Sequence, residues 1–178
     1  MDSLPETILL HAHSLTEGGV LSPKEFLHLG SRAAVDQAFS RLTKEGKLLR
    51  IARGTYVTPI ADRSGPRPPA ADKVIKAVAE QKGEIVTSHG ARAANFLGLT
   101  GHVPEGAVVY LTSGRTRRLR LGHTDVLMEH APHWMLALGG GPAGDALRAL
   151  AWMGPPHAGR ALAVHCAAND MNSMRLRS

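Results

Sequence analysis

Residues Leu29–Val57, LGSRAAVDQAFSRLTKEGKLLRIARGTYV, decide how the chain is read. Ser31 is a helix cap, and Val35, Ala38, Phe39 and Leu42 recur at the i, i+3, i+4, i+7 spacing of one buried helical stripe. The opposite face carries Arg32, Ala33, Asp36, Gln37, Ser40, Arg41 and Lys44. Gly46 ends the helix. KLLRIARGTYV follows with β-type residues broken at Arg53-Gly54, which predicts a basic hairpin.

Upstream, Ser3, Pro5 and Glu6 form a capping-box start, and Leu4, Ile8, Ala12 and Leu15 recur at helical intervals up to Gly18-Gly19. VLSPKEFLHLG repeats the signature, with Ser22 as cap, Pro23 at the first helical position and Glu25 three residues on; Gly30 ends this second, short helix. Helix, helix, turn, helix, hairpin is the order of a winged helix-turn-helix. Downstream, PIADRSGPRPPAADK (59–73) holds four prolines and cannot stay helical. Beyond it AADKVIKAVAEQKG predicts a helix with Val74, Ile75, Val78 and Ala79 inward. EIVTS reads as a strand and HGARAANFLGL as a small-residue helix. AVVYLTS, RLRLG and DVLME predict an antiparallel meander. GDALRALAWMG and HAGRALAVHCAAND predict two terminal helices. The expected fold is α+β: a winged helix-turn-helix domain over 1–60, a Pro-rich linker over 61–70, and a small α+β domain with an antiparallel sheet over 71–178.

Composition limits the function classes. The 178 residues are 43% hydrophobic and 20% charged, enough for a core and too mixed for wholesale disorder. Cys166 is the only cysteine, so neither an intrachain disulfide nor a Cys-based zinc cage can form. MDSLPETILL lacks the basic start of a signal peptide, and no stretch approaches a membrane span. A cytoplasmic location without a membrane partner is expected. The net charge of +6 favours polyanionic partners.

That charge is unevenly placed. Arg32, Arg41, Lys44, Lys47, Arg50, Arg53, Arg63 and Arg67 stand against Asp36, Glu45 and Asp62, which leaves +5 on the helix and hairpin region. Residues 1–31 carry −3. A helix fits the major groove, where Arg reads guanine, Gln reads adenine and Ser serves a base edge or phosphate. Lys and Arg on phosphates supply affinity and register. The expected DNA-binding residues are Ser31, Arg32, Asp36, Gln37, Ser40, Arg41, Lys44, Lys47, Arg50 and Arg53.

A second cluster, Arg115, Arg117, Arg118 and Arg120, lies in or beside a strand, with Arg118 and Arg120 on one face. It reads either as a second nucleic-acid surface, for tRNA or flanking DNA, or as charges that protect an edge strand. Glu129, His130 and His133 fit no metal-ligand template. Gly139, Gly140, Gly141 and Gly144 precede a helix but lack the Lys-Ser/Thr of a phosphate loop. Ser88 and His89 are adjacent without a nucleophile elbow, and Cys166 sits on an apolar helix face. Neither an enzyme nor a cofactor or metal is expected.

SPKEFLHLGSRAAVDQAFSRLTKEGKLLRIARGTYVTP resembles the winged-helix segment of the AbiEi-type antitoxins of type IV toxin–antitoxin (abortive infection) systems. SHGARAANFLGLTGHVPEGAVVYLTSG is similar to the second-domain signature of their short relatives. The resemblance implies a transcriptional repressor that binds inverted repeats in its own promoter, two copies to the operator. It further implies that the second domain counters a cognate nucleotidyltransferase toxin without a stable complex. The C-terminal region is shorter than in the longer antitoxins. A stand-alone regulator, an RNA-binding adaptor and an enzyme-linked effector are the alternatives.

Overall fold

A computed structural model describes residues 3–63, 65–101, 107–155 and 159. The chain runs α1 (Leu4–Ser14), β1 (Val20–Leu21), a 3-10 turn (Pro23–Phe26), α2 (Arg32–Lys44), β2 (Leu49–Ala52), β3 (Thr55–Val57), β4 (Ile60–Asp62) and β5 (Gly65–Arg67). It continues through α3 (Ala71–Lys82), β6 (Val86–Ser88), α4 (Gly90–Phe96), β7 (Val108–Thr112), β8 (Arg117–Leu121), β9 (Thr124–His130), α5 (His133–Leu136) and α6 (Pro142–Met153). The fold is α+β with antiparallel strand pairing. No described helix is long and apolar enough to cross a membrane. The helix expected in HAGRALAVHCAAND, with Cys166, lies outside the described residues.

Two compact units divide the chain. The first takes Met1–Glu84 and Thr116–Met128; the second takes the described residues of Ile85–Arg115 and from Glu129 on. The first unit therefore includes α3, the β8–β9 hairpin and the Pro-rich stretch.

Its core joins Ile8 and Ala12 of α1 to Leu21, Phe26, Leu48 and the α2 stripe of Val35, Ala38, Phe39 and Leu42. Phe39 stacks edge-on to Phe26 at 5.6 Å and tilted against Tyr56 at 4.7 Å. The second helix expected from the sequence is a single 3-10 turn, preceded by a two-residue strand. Val20 and Leu21 pair with Val57 and Tyr56, giving the order β1-β3-β2. Such a short strand depends on a partner some 36 residues away in sequence and leaves no local signature.

Helix α2 starts and stops as its sequence demands. Ser31 Oγ accepts from the Ala34 N–H at 3.3 Å. At the other end Gly46 has a φ of +70°, and the Lys47 and Gly46 N–H groups donate to the carbonyls of Leu42 and Thr43. These bonds satisfy the last turn's free carbonyls, which is why a glycine is needed there.

The Pro-rich stretch is extended, as expected, and also pairs with itself: Ile60, Ala61 and Asp62 oppose Arg67, Pro66 and Gly65. Pro68 then packs under the β8–β9 turn, where a Cβ on Gly122 would stand 2.8 Å from its Cγ. Helix α3 buries Val74, Ile75, Val78 and Ala79, the stripe its periodicity predicts. It lies against the α1–β1 loop so closely that a Cβ on Gly18 would fall 2.7 Å from Lys73 Cβ.

In the second unit β6 pairs antiparallel with β7, Thr87 opposite Leu111. Helix α4 meets α6 through small residues, Ala93 and Ala94 against Ala149. A Cβ on Gly90 would sit 2.5 Å from the Arg148 carbonyl oxygen, so only glycine permits this approach.

Candidate nucleic-acid interface

The α2 stripe turns the helix so that its polar face is outermost. Ser31, Arg32, Asp36, Gln37, Ser40, Arg41 and Lys44 are all exposed, as are Lys47, Arg50 and Arg53 beyond the helix. The β2–β3 hairpin carries the last two. It pairs Arg50 with Tyr56 and Ala52 with Thr55, with a register shift between, and Gly54 turns it at a φ of +68°. Ile51 points into the core at 3% exposure, which sends Arg50 outward.

Several of these cations are held lightly. Arg32 Nε donates to Asp36 at 2.8 Å, and Arg41 Nε to Glu45 at 2.9 Å, each one helical turn on. Lys47 Nζ reaches the second Glu45 oxygen at 2.9 Å. The Glu45 carboxyl is held below its usual range by the hydrogen bond from Lys47 and then by that from Arg41. The Arg41 side chain is 73% exposed, and water screens exposed pairs of this kind so that they contribute little. Such cations exchange a carboxylate for a phosphate or a base edge at small expense. Gln37, Ser40, Lys44 and Arg53 have no side-chain partner among the described residues. Asp36 orients Arg32 and offers no donor of its own.

The second arginine cluster separates. Arg117 is mostly buried and makes a two-pronged ion pair with Glu84, NH1 to Oε1 at 2.9 Å and NH2 to Oε2. Arg118 and Arg120 alternate with buried Leu119 and Leu121 and share the exposed face, as the alternation predicts. Arg115 is exposed and belongs to the second unit.

In the second unit Arg148 is a buried cation that the sequence reading missed. Its guanidinium donates to Asp145 at 2.6 Å and to the carbonyls of Gly139 and Met135 at 2.8 and 3.2 Å. Ser88 Oγ donates to the same Asp145 oxygen at 2.7 Å. The glycine run before α6 thus wraps an arginine: a Cβ on Gly144 would collide with the Gly139 carbonyl oxygen at 2.3 Å. The i, i+3 spacing of Asp145 and Arg148 inside a helix is the only local signal, and it is common to exposed ion pairs. Ser88 is committed to Asp145, while His89 caps α4, its Nδ1 accepting from the Ala91 N–H at 3.2 Å. Neither activates the other. Burial holds the His89 imidazole below its ordinary pKa of 6.5, against the pull of Glu129. A cavity of about 270 Å³ adjoins His89, Glu129, His130, Arg148 and Trp152. Among the described residues no three His, Cys, Asp or Glu side chains converge as a metal site.

Over residues 7–158 the chain matches the model of a family of unknown function, DUF6088, and it belongs to that family. No curated protein and no solved structure matches it.

Proposed function

We propose that this member of the DUF6088 family binds double-stranded DNA sequence-specifically through a winged helix, with α2 in the major groove and the β2–β3 hairpin on the backbone. The observation that carries the reading is the two-faced α2. Its apolar stripe anchors it, while Arg32, Gln37, Ser40, Arg41 and Lys44 line the outer face and continue into Arg50 and Arg53. The order α1, 3-10 turn, α2, hairpin supports the winged-helix reading, with the 3-10 turn in place of a full second helix. Base-reading side chains on a helix beside a phosphate-binding hairpin suit a repressor at a promoter. DNA as partner implies a cytoplasmic protein.

The antitoxin part of the reading rests on the resemblance carried by Ser22–Pro59 and Ser88–Gly114. In it the protein represses its own operon, and the second unit counters a nucleotidyltransferase toxin without a stable complex. An adjacent nucleotidyltransferase gene whose toxicity is relieved by co-expression of this chain supports it. Full toxicity in that experiment leaves a stand-alone regulator.

A mobility-shift titration of the full chain on the DNA upstream of its own gene, against matched RNA, tests DNA binding. Arg41→Ala is expected to cost about 1–3 kcal/mol and to relax the preference at one operator position. Equal weakening on every sequence would assign Arg41 to a phosphate instead. Equal affinity of the native chain for RNA and DNA would overturn the proposal.

A further inference from the structure

We infer that β8 is an extension of the DNA-binding wing, and that Arg118 and Arg120 hold backbone phosphates flanking the sequence read by α2. The inference rests on the proposed DNA binding and adds a surface to it.

Both strands concerned belong to the first compact unit. Among the described residues, β2 is the end strand of the β1-β3-β2 ladder, and β8 takes its ladder bonds from β9 on one side only. The two strands approach each other, with Cα atoms within 8 Å. Each strand sends its apolar residues inward, Ile51 from β2 and Leu119 and Leu121 from β8. Arg50, Arg118 and Arg120 are therefore left on the outside of neighbouring strands. The basic hairpin does not end at β2; its charge continues onto β8.

The charges are also available. Neither Arg118 nor Arg120 has a side-chain partner among the described residues, whereas Arg117 is tied to Glu84. Asp125 stands opposite Arg120 in the ladder and offsets part of its charge, while Arg118 stands opposite Leu127. Edge protection alone explains a charge on an open strand edge. It does not explain why two arginines without side-chain partners among the described residues stand on a strand that lies close to the basic strand β2. The partner is duplex backbone, because no aromatic side chain stands beside these arginines on β8 to stack an unpaired base.

The test is a salt titration of operator binding by the full-length protein. Each phosphate contact contributes about 0.9 to the slope of log K against log salt. Arg118→Ala/Arg120→Ala is expected to reduce that slope by about 2 while the ranking of operator variants stays as in the native chain. Arg118→Lys/Arg120→Lys should restore most of the slope, and trimming the duplex flank should make the native protein behave like the alanine variant. A native slope in the alanine variant, with Arg50→Ala still lowering it, would overturn the inference and leave the wing reading intact. Loss of RNA binding alone in the alanine variant would overturn it in favour of an RNA surface. Failure of the native chain to bind DNA would overturn both readings.

Discussion

At the scale of single residues, the outer face of α2 is set by competition for its cations. Among the described residues Glu45 is the only acid in contact with two of the bases expected to meet DNA, Arg41 and Lys47. It stands at the C-terminal end of the helix, where an anion is unfavourable to the helix dipole. On the proposed reading DNA has to displace it, and its own charge repels phosphate. Glu45→Gln is therefore expected to tighten operator binding about 1.5- to 5-fold at low salt, the difference fading as salt screens the pairs. A fluorescence-anisotropy titration at two ionic strengths checks this. Unchanged or weaker binding would mean that the two ion pairs position Arg41 and Lys47 for DNA instead of withholding them.

At the scale of elements, α2 and α4 make separable predictions. Phe39 is fully buried between Phe26 and Tyr56, so Phe39→Ala should cost about 3–5 kcal/mol in chemical denaturation. Gln37→Ala, one helical face away, should stay within about 0.5 kcal/mol while weakening DNA binding. Helix α4 depends on a neutral His89 as its cap. Because the folded pKa lies below 6.5, the unfolded chain binds the proton more readily. His89 therefore stabilises the fold fully above about pH 6.5, and the contribution is lost as the pH falls through the lower, folded value. His89→Asn keeps a capping side chain that does not titrate. Its melting temperature should fall less than that of the native protein between pH 7.5 and pH 5. Parallel curves would show that protonation of His89 does not matter to α4. These elements also mark how far the sequence could be read. The stripes of α2 and α3 were legible because a 3.6-residue period is local, and the alternation of β8 because a two-residue period is too. What stayed hidden depended on distant partners. Val20-Leu21 is a strand only because β3 lies beside it, and the Arg117–Glu84 and Ser88–Asp145 links join residues far apart in the chain. Of the candidate interface, the exposed faces could be read; which arginines were already engaged could not.

At the scale of the molecule, the two compact units are interleaved along the chain, which leaves the first after Glu84, returns at Thr116 and departs again after Met128. The proposed DNA-binding surface is consequently not the property of an N-terminal fragment. A chain cut at residue 84 loses β8, with Arg118 and Arg120, and leaves Glu84 without Arg117. The return point is close at hand. The Ile85 N–H donates to Ser113 Oγ at 2.8 Å and its carbonyl accepts from the Ser113 N–H at 3.0 Å, so residues 85 and 113 stand side by side. A flexible link of about four residues should span Glu84 to Thr116 with little closure entropy. A variant that joins 1–84 to 116–128 in this way is expected to melt cooperatively, above the 1–84 fragment, and to keep the salt slope of the full chain on operator DNA. The 1–84 fragment should bind with a slope lower by about 2, matching the loss of two phosphate contacts. Circular-dichroism melts and anisotropy titrations of the three chains decide the matter. Equal stability and equal slope in the 1–84 fragment would show that the hairpin returning at Thr116 serves neither the fold of the first unit nor its grip on DNA.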